Sequence, residues 1–465
     1  MKLKVVVTIS LVALLSCSPK ESKIISVSSW VTNPDKSLLF TRQPEIIFQE
    51  TSSSLPTITI DTTQQFQMVD GFGYSLTGGS AQLISALPKD KQDSLLKELF
   101  LRDDNGIGIS FLRISIGASD LDDHVFSYDD LPVGQTDMNL EKFSIAEDQK
   151  NLIPVLKKII ALNSEIKIMG SPWSAPSWMK TNGKPKGGLL KEELYPVYAK
   201  YFVKYLLAMQ AEGINLHSIT IQNEPENPNN TPSMLMTAEE QMIFIRDHLG
   251  PAFQQSNIKT KIVLFDHNCD NPEYPISILD DSVTRKFVDG SAFHMYLGEI
   301  SAMGKTHEAH PDKNLYFTEQ WTSGDGDFGG DLNWHVNNLI IGAMRNWSRT
   351  VLEWNLAADT DFNPHTPDGG CDRCLGALTI GDEIKRNVSY YIIAHASKHV
   401  VPGSIRINSN EIDGFPNVAF RTPSGEKVLI VLNSKPEQQQ FQIEFKNQFA
   451  SATLQAGAVG TFVWN

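Results

Sequence analysis

The strongest constraint on the fold is a unit that repeats eight times between residues 70 and 357. Each unit is a short apolar or β-branched run followed by a longer segment with helical periodicity. Alternating strands and helices require crossover connections and a parallel sheet, so eight units favour a (β/α)8 TIM barrel over an open sheet. We place the barrel at residues 63–400. The apolar runs begin near Val69, Gly108, Glu165, His217, Lys261, Gly290, Asn314 and Thr350.

The segments between these runs are predicted to be helices. A dinucleotide-binding fold is not indicated, because the segment GFGYSLTGG at 71–79 lacks the GxGxxG spacing and the later acidic residue. The predicted helices cover 79–101, 145–162, 192–211, 238–248, 279–288, 332–347 and 382–398.

Both ends of the chain are predicted to be strands. Residues 401–465 show period-two runs separated by turn residues, and residues 24–62 contain shorter runs of the same kind. The early strands have no partners of their own before the barrel begins, and unpaired strand edges are unfavourable. We therefore predict one β-sandwich side domain built from both chain termini.

The first residues have the pattern of a targeting segment. Lys2 and Lys4 precede an apolar stretch that is too short to span a bilayer, and Ser16 and Cys17 follow it. The segment LLSC resembles a bacterial lipobox. This resemblance implies a signal peptide at 1–16, lipidation of Cys17, a tether at 17–23, and an exported lipoprotein anchored to the bacterial outer membrane, on its periplasmic side or at the cell surface. An ordinary signal peptide with an incidental cysteine is the alternative.

The net charge of the chain bears on whether it can bind nucleic acids. The formal net charge of −14 would repel the phosphates that dominate nucleic-acid affinity, so no nucleic-acid partner is expected. No later segment approaches the length of a membrane span, and contact with a membrane is expected only through the lipid anchor. No cofactor is expected.

Polar and aromatic residues are concentrated at the predicted strand ends, which share one mouth in a barrel of this type. Glu224 ends the fourth strand and Glu319 the seventh, on nearly opposite sides of the barrel. Acetal hydrolysis needs such a pair, because one carboxyl protonates the leaving oxygen while the other attacks the anomeric carbon. We therefore predict a glycosidase. Tryptophans that could stack on sugar rings also end strands: Trp173, Trp178, Trp321 and Trp354.

Seven segments, in order, resemble glycoside hydrolase family 30, the glucosylceramidase family. They are VDGFGYSLT (69–77), FLRISIGASD (111–120), GSPWSAPSWMKTNG (170–183), QNEP (222–225), FHMYLG (293–298), YFTEQW (316–321) and EWNLA (353–357). The resemblance implies a barrel with a β-sandwich from both termini and a retaining mechanism on β-linked sugars.

Matched to the family, Glu224 is the general acid/base and Glu319 the nucleophile. We expect Glu224 to be protonated beside the charge of its neighbour, and Glu319 to stay anionic through local donors. The other implied site residues are Asn223 at the 2-hydroxyl, Arg113 with Asp120 from the second strand, Trp173 in the glycone wall, His294 and Tyr296 near the nucleophile, and Trp354 and Asn355 on the far side.

Departures from the mammalian members favour a polysaccharide substrate. Met295 replaces a tryptophan, and Gln320 with Trp321 replaces small residues, whereas Trp321 and the segment GGCDRCLGALTIG (369–381) are similar to the bacterial and fungal branch that acts on β-1,6-glucan. We expect hydrolysis of β-1,6-glucan. The alternatives are glucosylceramidase or β-glucosidase activity on short glucosides and, in another class, a non-catalytic glycan-binding lipoprotein.

The cysteines and histidines bear on whether the chain holds a disulfide or a metal ion. Export favours a disulfide between Cys371 and Cys374, but zinc with His365 and Cys269, or a thioredoxin-like role, are the alternatives. Cys269 is expected to be a buried thiol. Asp266, His267 and His294 lack metal-site spacing, so no metal is predicted.

Overall fold

The computed structural model describes residues 1–6, 25–103 and 105–465. The predicted lipidation site Cys17 and the tether 17–23 lie outside these residues, as does most of the signal segment 1–16. None of the helices in the described ranges is long and apolar enough to cross a membrane.

Strands and helices alternate through the middle of the chain, whereas the described residues 25–68 and 405–465 contain strands without α-helices. The strands are β1 (Ser26–Thr32), β2 (Thr41–Ile47), β3 (Thr57–Met68), β4 (Gly71–Ser75), β5 (Phe111–Ser115), β6 (Lys167–Ser171), β7 (Ser218–Thr220), β8 (Lys261–Cys269), β9 (Val288–Gly298), β10 (Asn314–Glu319), β11 (Thr322–Ser323), β12 (Ser348–Asn355), β13 (Ala357–Ala358), β14 (Cys374–Leu375), β15 (Leu378–Ile380), β16 (Ile384–Arg386), β17 (Ile405–Ser409), β18 (Asn417–Arg421), β19 (Lys427–Leu432), β20 (Gln439–Phe445), β21 (Gln448–Leu454) and β22 (Val459–Trp464).

The α-helices surround the barrel. They are α1 (Gly78–Ala86), α2 (Lys89–Phe100), α3 (Leu152–Leu162), α4 (Tyr195–Ala211), α5 (Ala238–Ile243), α6 (Gly250–Gln255), α7 (Glu273–Asp280), α8 (Ser301–Ala309), α9 (Phe328–His335) and α10 (Val388–Ser397). π-Helical turns at Phe244–Leu249 and Val336–Ala343 continue α5 and α9.

The eight predicted barrel strands form a closed parallel barrel in the order β4, β5, β6, β7, β8, β9, β10 and β12, with β12 pairing back to β4. Strands such as β4 and β5 are buried at every position, as expected when both faces of a parallel sheet are covered. The predicted TIM barrel is therefore confirmed. A separate apolar cluster contributed by six of these strands contains Phe111, Met169, Val263, Ala292, Tyr316 and Leu352.

Several helices differ from the sequence prediction. The single helix predicted at 79–101 is two helices, because the chain is extended at Leu87 and Pro88 begins the second one. The helix predicted at 279–288 is wrong: α7 ends at Asp280, and Asp281 then accepts hydrogen bonds from the backbone N–H and hydroxyl of Thr284.

The sandwich is one nine-stranded sheet that combines both chain ends, in the order β2, β1, β22, β19, β18, β17, β3, β20 and β21. This confirms the predicted side domain. Strand β3 pairs with β20 through Thr57–Thr59 and with β17 up to Met68, so the sandwich continues beyond residue 62, where the sequence placed the start of the barrel. Its core is a separate apolar cluster that includes Phe441 and Trp464.

A buried histidine joins the sandwich to the barrel. His395 on α10 lies between the hydroxyls of Thr32 on β1 and Thr461 on β22, with both ring nitrogens 2.9 Å from an oxygen. Burial lowers the pKa of His395 to about 3, so the ring is neutral and one nitrogen donates while the other accepts. The last barrel helix is therefore fixed to the first and last strands of the sandwich.

A buried ion network closes the opposite end of the barrel from the strand C-termini. The Asp70 carboxylate, which precedes β4, accepts two hydrogen bonds of 2.8 Å from Arg349 on β12 and a third from Lys167 on β6. Burial raises the pKa of Asp70, but the hydrogen bonds and charges of Arg349 and Lys167 outweigh burial and lower it below the usual range.

We expect Asp70→Asn to lower the free energy of unfolding by about 3 kcal/mol, because it leaves two partly buried cations without their counter-ion. Since the pKa of Asp70 is depressed by folding, this contribution is present above the unfolded pKa and is lost as pH falls through the folded value. Urea denaturation measures both effects. Asp93→Asn is the control, because the pair between Asp93 and Lys89 is exposed and contributes little to stability. Equal losses in the two variants would contradict this assignment.

Candidate active site

The two glutamates predicted to face each other meet at the mouth of the barrel. Glu224 follows β7 and Glu319 ends β10, and both are almost fully buried. A carboxylate oxygen of each, together with a ring nitrogen of His294, lies within 4.8 Å of the other two. Retaining glycosidases hold their carboxyls about 5–5.5 Å apart, whereas inverting enzymes need about 6.5–9.5 Å. The separation fits retention.

Arg113 connects the two strand ends that carry these glutamates. Its guanidinium donates to Glu319 Oε2 at 2.6 Å and to Asn223 Oδ1 at 2.6 Å. The same group donates to Asp266 Oδ2 at 2.7 Å. Arg113 is fully buried and has lost its contacts with water, and these acceptors replace the hydrogen bonds that water would make. Arg113 therefore fixes the position of Glu319 and of the amide beside Glu224.

Asp266 is central to the site, whereas the sequence analysis considered it only as a metal ligand and gave it no role. In the structure its Oδ2 accepts from Arg113, Ser171 and Thr220, and its Oδ1 accepts from the Thr318 hydroxyl at 2.7 Å. Burial raises its pKa, but the charges of Arg113 and His294 outweigh burial and hold the pKa far below the usual range. Its place at the end of the fifth barrel strand was the available signal.

His294 lies between Asp266 and the glutamates. Its Nε2 is 3.1 Å from Asp266 Oδ1, and its Nδ1 is 3.3 Å from Glu224 Oε1 and 3.8 Å from Glu319 Oε1. Burial lowers the pKa of His294, but the surrounding carboxylates reverse this and raise it to about 9. The ring is thus a cation at neutral pH.

The charge state of Glu224 differs from the one expected from the sequence. Burial raises the pKa of Glu224, but the hydrogen bond and charge of His294 outweigh it and lower the pKa to about 2. In the unliganded site the proton expected on Glu224 therefore resides on His294, 3.3 Å away. For Glu319, burial raises the pKa, while His294 and Arg113 oppose the rise. The pKa of Glu319 is raised overall. The two donors expected from the sequence, the Arg113 guanidinium and the Tyr296 hydroxyl at 2.9 Å, both bond to its carboxylate.

Two asparagines that sequence reasoning missed contact the outer oxygen of Glu224. Asn227 Nδ2 lies 2.8 Å and Asn230 Nδ2 3.0 Å from Glu224 Oε2. The backbone of Glu224 has a positive φ of 46°, an uncommon conformation for a non-glycine residue. No catalytic motif predicts these amides, because they follow Glu224 in a loop rather than at a strand end.

Of the four tryptophans predicted at strand ends, Trp321 and Trp354 line the cleft, whereas Trp173 and Trp178 are not among its lining residues. Trp173 and Trp354 stack with ring centroids 5.4 Å apart, and the Arg113 guanidinium lies 4.8 Å from the Trp173 ring. Both indoles are nearly buried, and Trp173 Nε1 has no hydrogen-bond partner among the residues that the structure describes.

The predicted disulfide between Cys371 and Cys374 is confirmed, with a Cα separation of 5.6 Å. Both residues pack in the cluster that contains Trp173 and Trp354. The zinc alternative has no support, since the two sulfurs are bonded to each other. The thioredoxin-like alternative has none, since the pair lies at the mouth of a closed barrel. Cys269 is a buried free thiol, as expected.

Of the remaining predicted site residues, two line the cleft and one does not. Trp321 lines the cleft. Asp120 also lines it without bonding to Arg113, and burial with the charges of Glu319 and Glu224 raises its pKa to about 8. Asn355 does not line the cleft: its amide faces the carbonyls of Ala357 and Cys374, at 3.4 Å each, and so contacts the disulfide loop.

Within the described ranges, one set of side chains has the spacing of metal ligands: Glu224, His294 and Glu319. The Arg113 guanidinium already contacts Glu319, and His294 is itself cationic, so a further cation would be repelled there. We therefore assign no metal to this set. Asp266 is occupied by Arg113 and hydroxyl donors.

The cleft that these residues form has a volume of about 710 Å³, in the range of sites that enclose small ligands. Its lining combines the two glutamates, aromatic rings and a row of amides. The amides that line it are Asn227, Asn229, Asn230, Asn268 and Asn271.

Comparison with known proteins agrees with this geometry. The sequence model described as the glycosyl hydrolase family 30 TIM-barrel domain matches residues 69–400, and the one described as the family 30 beta sandwich domain matches residues 403–462. The chain belongs to glycosyl hydrolase family 30. As a member of this family it is a glycosidase.

Relatives within family 30 cover most of the chain. It is 33% identical over 403 residues to the endo-1,6-β-D-glucanase of Neurospora crassa, spanning 82% of each chain. It is 28% identical over 436 residues to the lysosomal acid glucosylceramidase of Mus musculus, spanning 88% of this chain and 83% of that one. Among solved structures, the endo-β1,6-glucanase BT3312 has a TM-score of 0.88 and 31% identity, covering 94% of this chain and 99% of that chain.

Proposed function

We propose that this family 30 glycosidase hydrolyses β-1,6-glucan with retention of configuration, by double displacement at Glu319 and Glu224. The observation that carries the proposal is the approach of the two buried carboxylates within 4.8 Å beside the Arg113 guanidinium. At this separation both groups can reach one scissile bond, and no room is left between them for the water of an inverting reaction.

In the first step, an oxygen of Glu319 bonds to the anomeric carbon while the bond from that carbon to the leaving oxygen breaks. The leaving oxygen takes a proton from Glu224, so the departing sugar is a neutral alcohol. Arg113 and Tyr296 hold the Glu319 carboxylate by hydrogen bonds of 2.6 and 2.9 Å, which fixes the attacking group before substrate arrives.

The proton for this step is stored on His294. Transfer from His294 Nδ1 to Glu224 Oε1 makes Glu224 a neutral acid and leaves a neutral imidazole that still donates to Asp266. The net charge of the site is unchanged by the transfer. In the second step, Glu224 removes a proton from water, whose oxygen bonds to the anomeric carbon as the bond to Glu319 breaks.

The substrate assignment is supported by the names of the relatives and by the rim of the cleft. The Neurospora crassa relative and BT3312 are both named as endo-1,6-β-glucanases. Trp321 and the disulfide Cys371–Cys374 line the cleft in this chain. Glucosylceramidase or β-glucosidase activity on short glucosides is the second candidate, favoured by the Mus musculus relative.

We expect the wild-type protein to release oligosaccharides from β-1,6-glucan, with the β anomer formed first in proton NMR. Glu319→Gln should lower kcat by at least about 10³-fold with the circular dichroism spectrum unchanged, because the amide cannot bond to the anomeric carbon. Xylan and glucosylceramide, assayed in parallel, serve as substrate controls. Initial formation of the α anomer would exclude retention, and a variant that keeps half its activity would exclude Glu319 as nucleophile.

The proton shared by Glu224 and His294 sets the alkaline limit of activity. Below the pKa of His294, about 9, the pair retains its proton; above it the proton is lost and no acid remains for the leaving oxygen. In His294→Asn, Glu224 must hold the proton alone, so we expect the alkaline limb of kcat/KM to move to lower pH. His124→Asn, on the surface, is the control. An unmoved limb in His294→Asn would contradict the shared proton.

We also propose that the protein is exported and tethered to a bacterial outer membrane through Cys17. The support is the lipobox-like segment LLSC and the polar residues that follow it. Cys17→Ala should abolish labelling by radioactive palmitate and shift the protein from the membrane fraction to the supernatant. Cys269→Ala is the matched control, since that thiol is buried in the barrel. Persistent labelling of Cys17→Ala would overturn the tether.

A further inference from the structure

The two oxygens of Glu224 have different environments. Oε2 accepts hydrogen bonds from Asn227 Nδ2 at 2.8 Å and Asn230 Nδ2 at 3.0 Å. Oε1 lies on the other side, 3.3 Å from His294 Nδ1, and that nitrogen is 3.8 Å from Glu319. Oε1 therefore lies on the side where His294 also approaches the nucleophile, whereas Oε2 faces the loop that follows Glu224.

The orientation of the nearer amide is fixed by its own partner. The backbone N–H of Asn229 donates to Asn227 Oδ1 at 3.0 Å, so the NH₂ group of Asn227 is the one directed to Glu224. The backbone N–H of Asn227 also donates to the carbonyl of Glu224 at 2.9 Å. Asn227 is thus bound to Glu224 through both its backbone and its side chain.

Hydrogen bonds from other parts of the chain hold the loop that carries these amides. The buried ammonium of Lys180 donates to the carbonyl of Ser233 at 2.7 Å, and the Thr366 hydroxyl donates to the carbonyl of Thr231 at 2.6 Å. Lys180 also donates to the carbonyl of Pro185 at 2.8 Å. Two side chains from other segments, Lys180 and Thr366, therefore fix the loop, and the amides meet Glu224 as a preformed pair.

An amide NH₂ group can only donate, so an oxygen that accepts two such groups is a poor position for a hydroxyl proton. A proton on Oε2 would lie against two N–H donors, and one hydrogen bond at least would be lost. A proton on Oε1 meets no such conflict once His294 has given it up. The two asparagines thus distinguish the oxygens of a group that is otherwise symmetric.

We propose that Asn227 and Asn230 are positioning residues that direct the acid proton of Glu224 to Oε1, the oxygen on the side where His294 also approaches Glu319. This inference rests on the proposed role of Glu224 as general acid/base. Neither residue touches the reacting atoms: each acts by holding Oε2, so that the protonated oxygen meets the leaving group on the side where Glu319 attacks.

The test compares two substrates that share one sugar and differ in the leaving group. A 2,4-dinitrophenyl β-gentiobioside releases a stable anion and needs no acid, whereas the phenyl β-gentiobioside needs protonation. We expect the double variant Asn227→Ala with Asn230→Ala to lose at least about tenfold in kcat/KM on the phenyl substrate, since general acid catalysis contributes about 10²–10⁴-fold. On the dinitrophenyl substrate the loss should be less than about threefold.

Two further variants separate positioning from folding. Asn227→Leu keeps the branched shape of the side chain but removes the donor, and it should reproduce the loss on the phenyl substrate. Asn215→Ala, at an exposed amide before β7 at the other end of the barrel, should leave both values unchanged. Equal losses on both substrates, or no loss on either, would overturn the inference.

Glu224→Ala distinguishes failure of this inference from failure of the proposed function. If Glu224 is the acid, this variant keeps its kcat/KM on the dinitrophenyl substrate and loses it on the phenyl substrate. An equal loss on both would overturn the role of Glu224, and the inference about the asparagines with it. A selective loss in Glu224→Ala without one in the asparagine variants would overturn the inference alone.

Discussion

The geometry of the site depends on one buried carboxylate, Asp266, and the two cations that it binds. Arg113 and His294 both approach its oxygens, and each then extends to a glutamate: Arg113 to Glu319 and His294 to Glu224. A buried ion set of this kind is stable only when every charge is paired and hydrogen-bonded. Because every charge must stay paired, Glu224 and Glu319 are fixed relative to each other. Neither can move without breaking its contact with His294 or Arg113, which both bind Asp266.

The barrel supplies this centre with its partners. The hydroxyls of Ser171, Thr220 and Thr318 come from β6, β7 and β10, and all three donate to Asp266. Small hydroxyl residues at these strand ends leave space for the Arg113 guanidinium at the barrel mouth. Below them the interior is filled by apolar side chains such as Phe111 and Tyr316. The mouth is therefore polar and rigid on top of a packed core.

The strand pattern predicted the barrel and the meeting of Glu224 with Glu319, because strand ends converge whatever the loops do. It could not predict the partners of these residues. Asp266 acts through its neighbours in space, and the contacts of Asn227 with Glu224 depend on the path of a loop. The charge states also escaped prediction: His294 takes the proton expected on Glu224 only because Asp266 and Glu319 are close by. The helix predicted at 279–288 failed because Asp281 binds Thr284 instead of continuing the helix.

The pairing of both termini in the sandwich has a consequence for the order of folding. Strand β1 can pair early with β2, but Trp30 on β1 also pairs with Thr461 on β22, so the sheet around β1 is incomplete until β22 has been synthesised. The barrel between them can close earlier, because all of its strands precede β22 and only the closing pair β12–β4 joins strands that are distant in the sequence. Contacts of high sequence separation form slowly. Docking of the two termini should therefore be the final event of biosynthesis, and a truncated chain would expose the edge of β1 to aggregation.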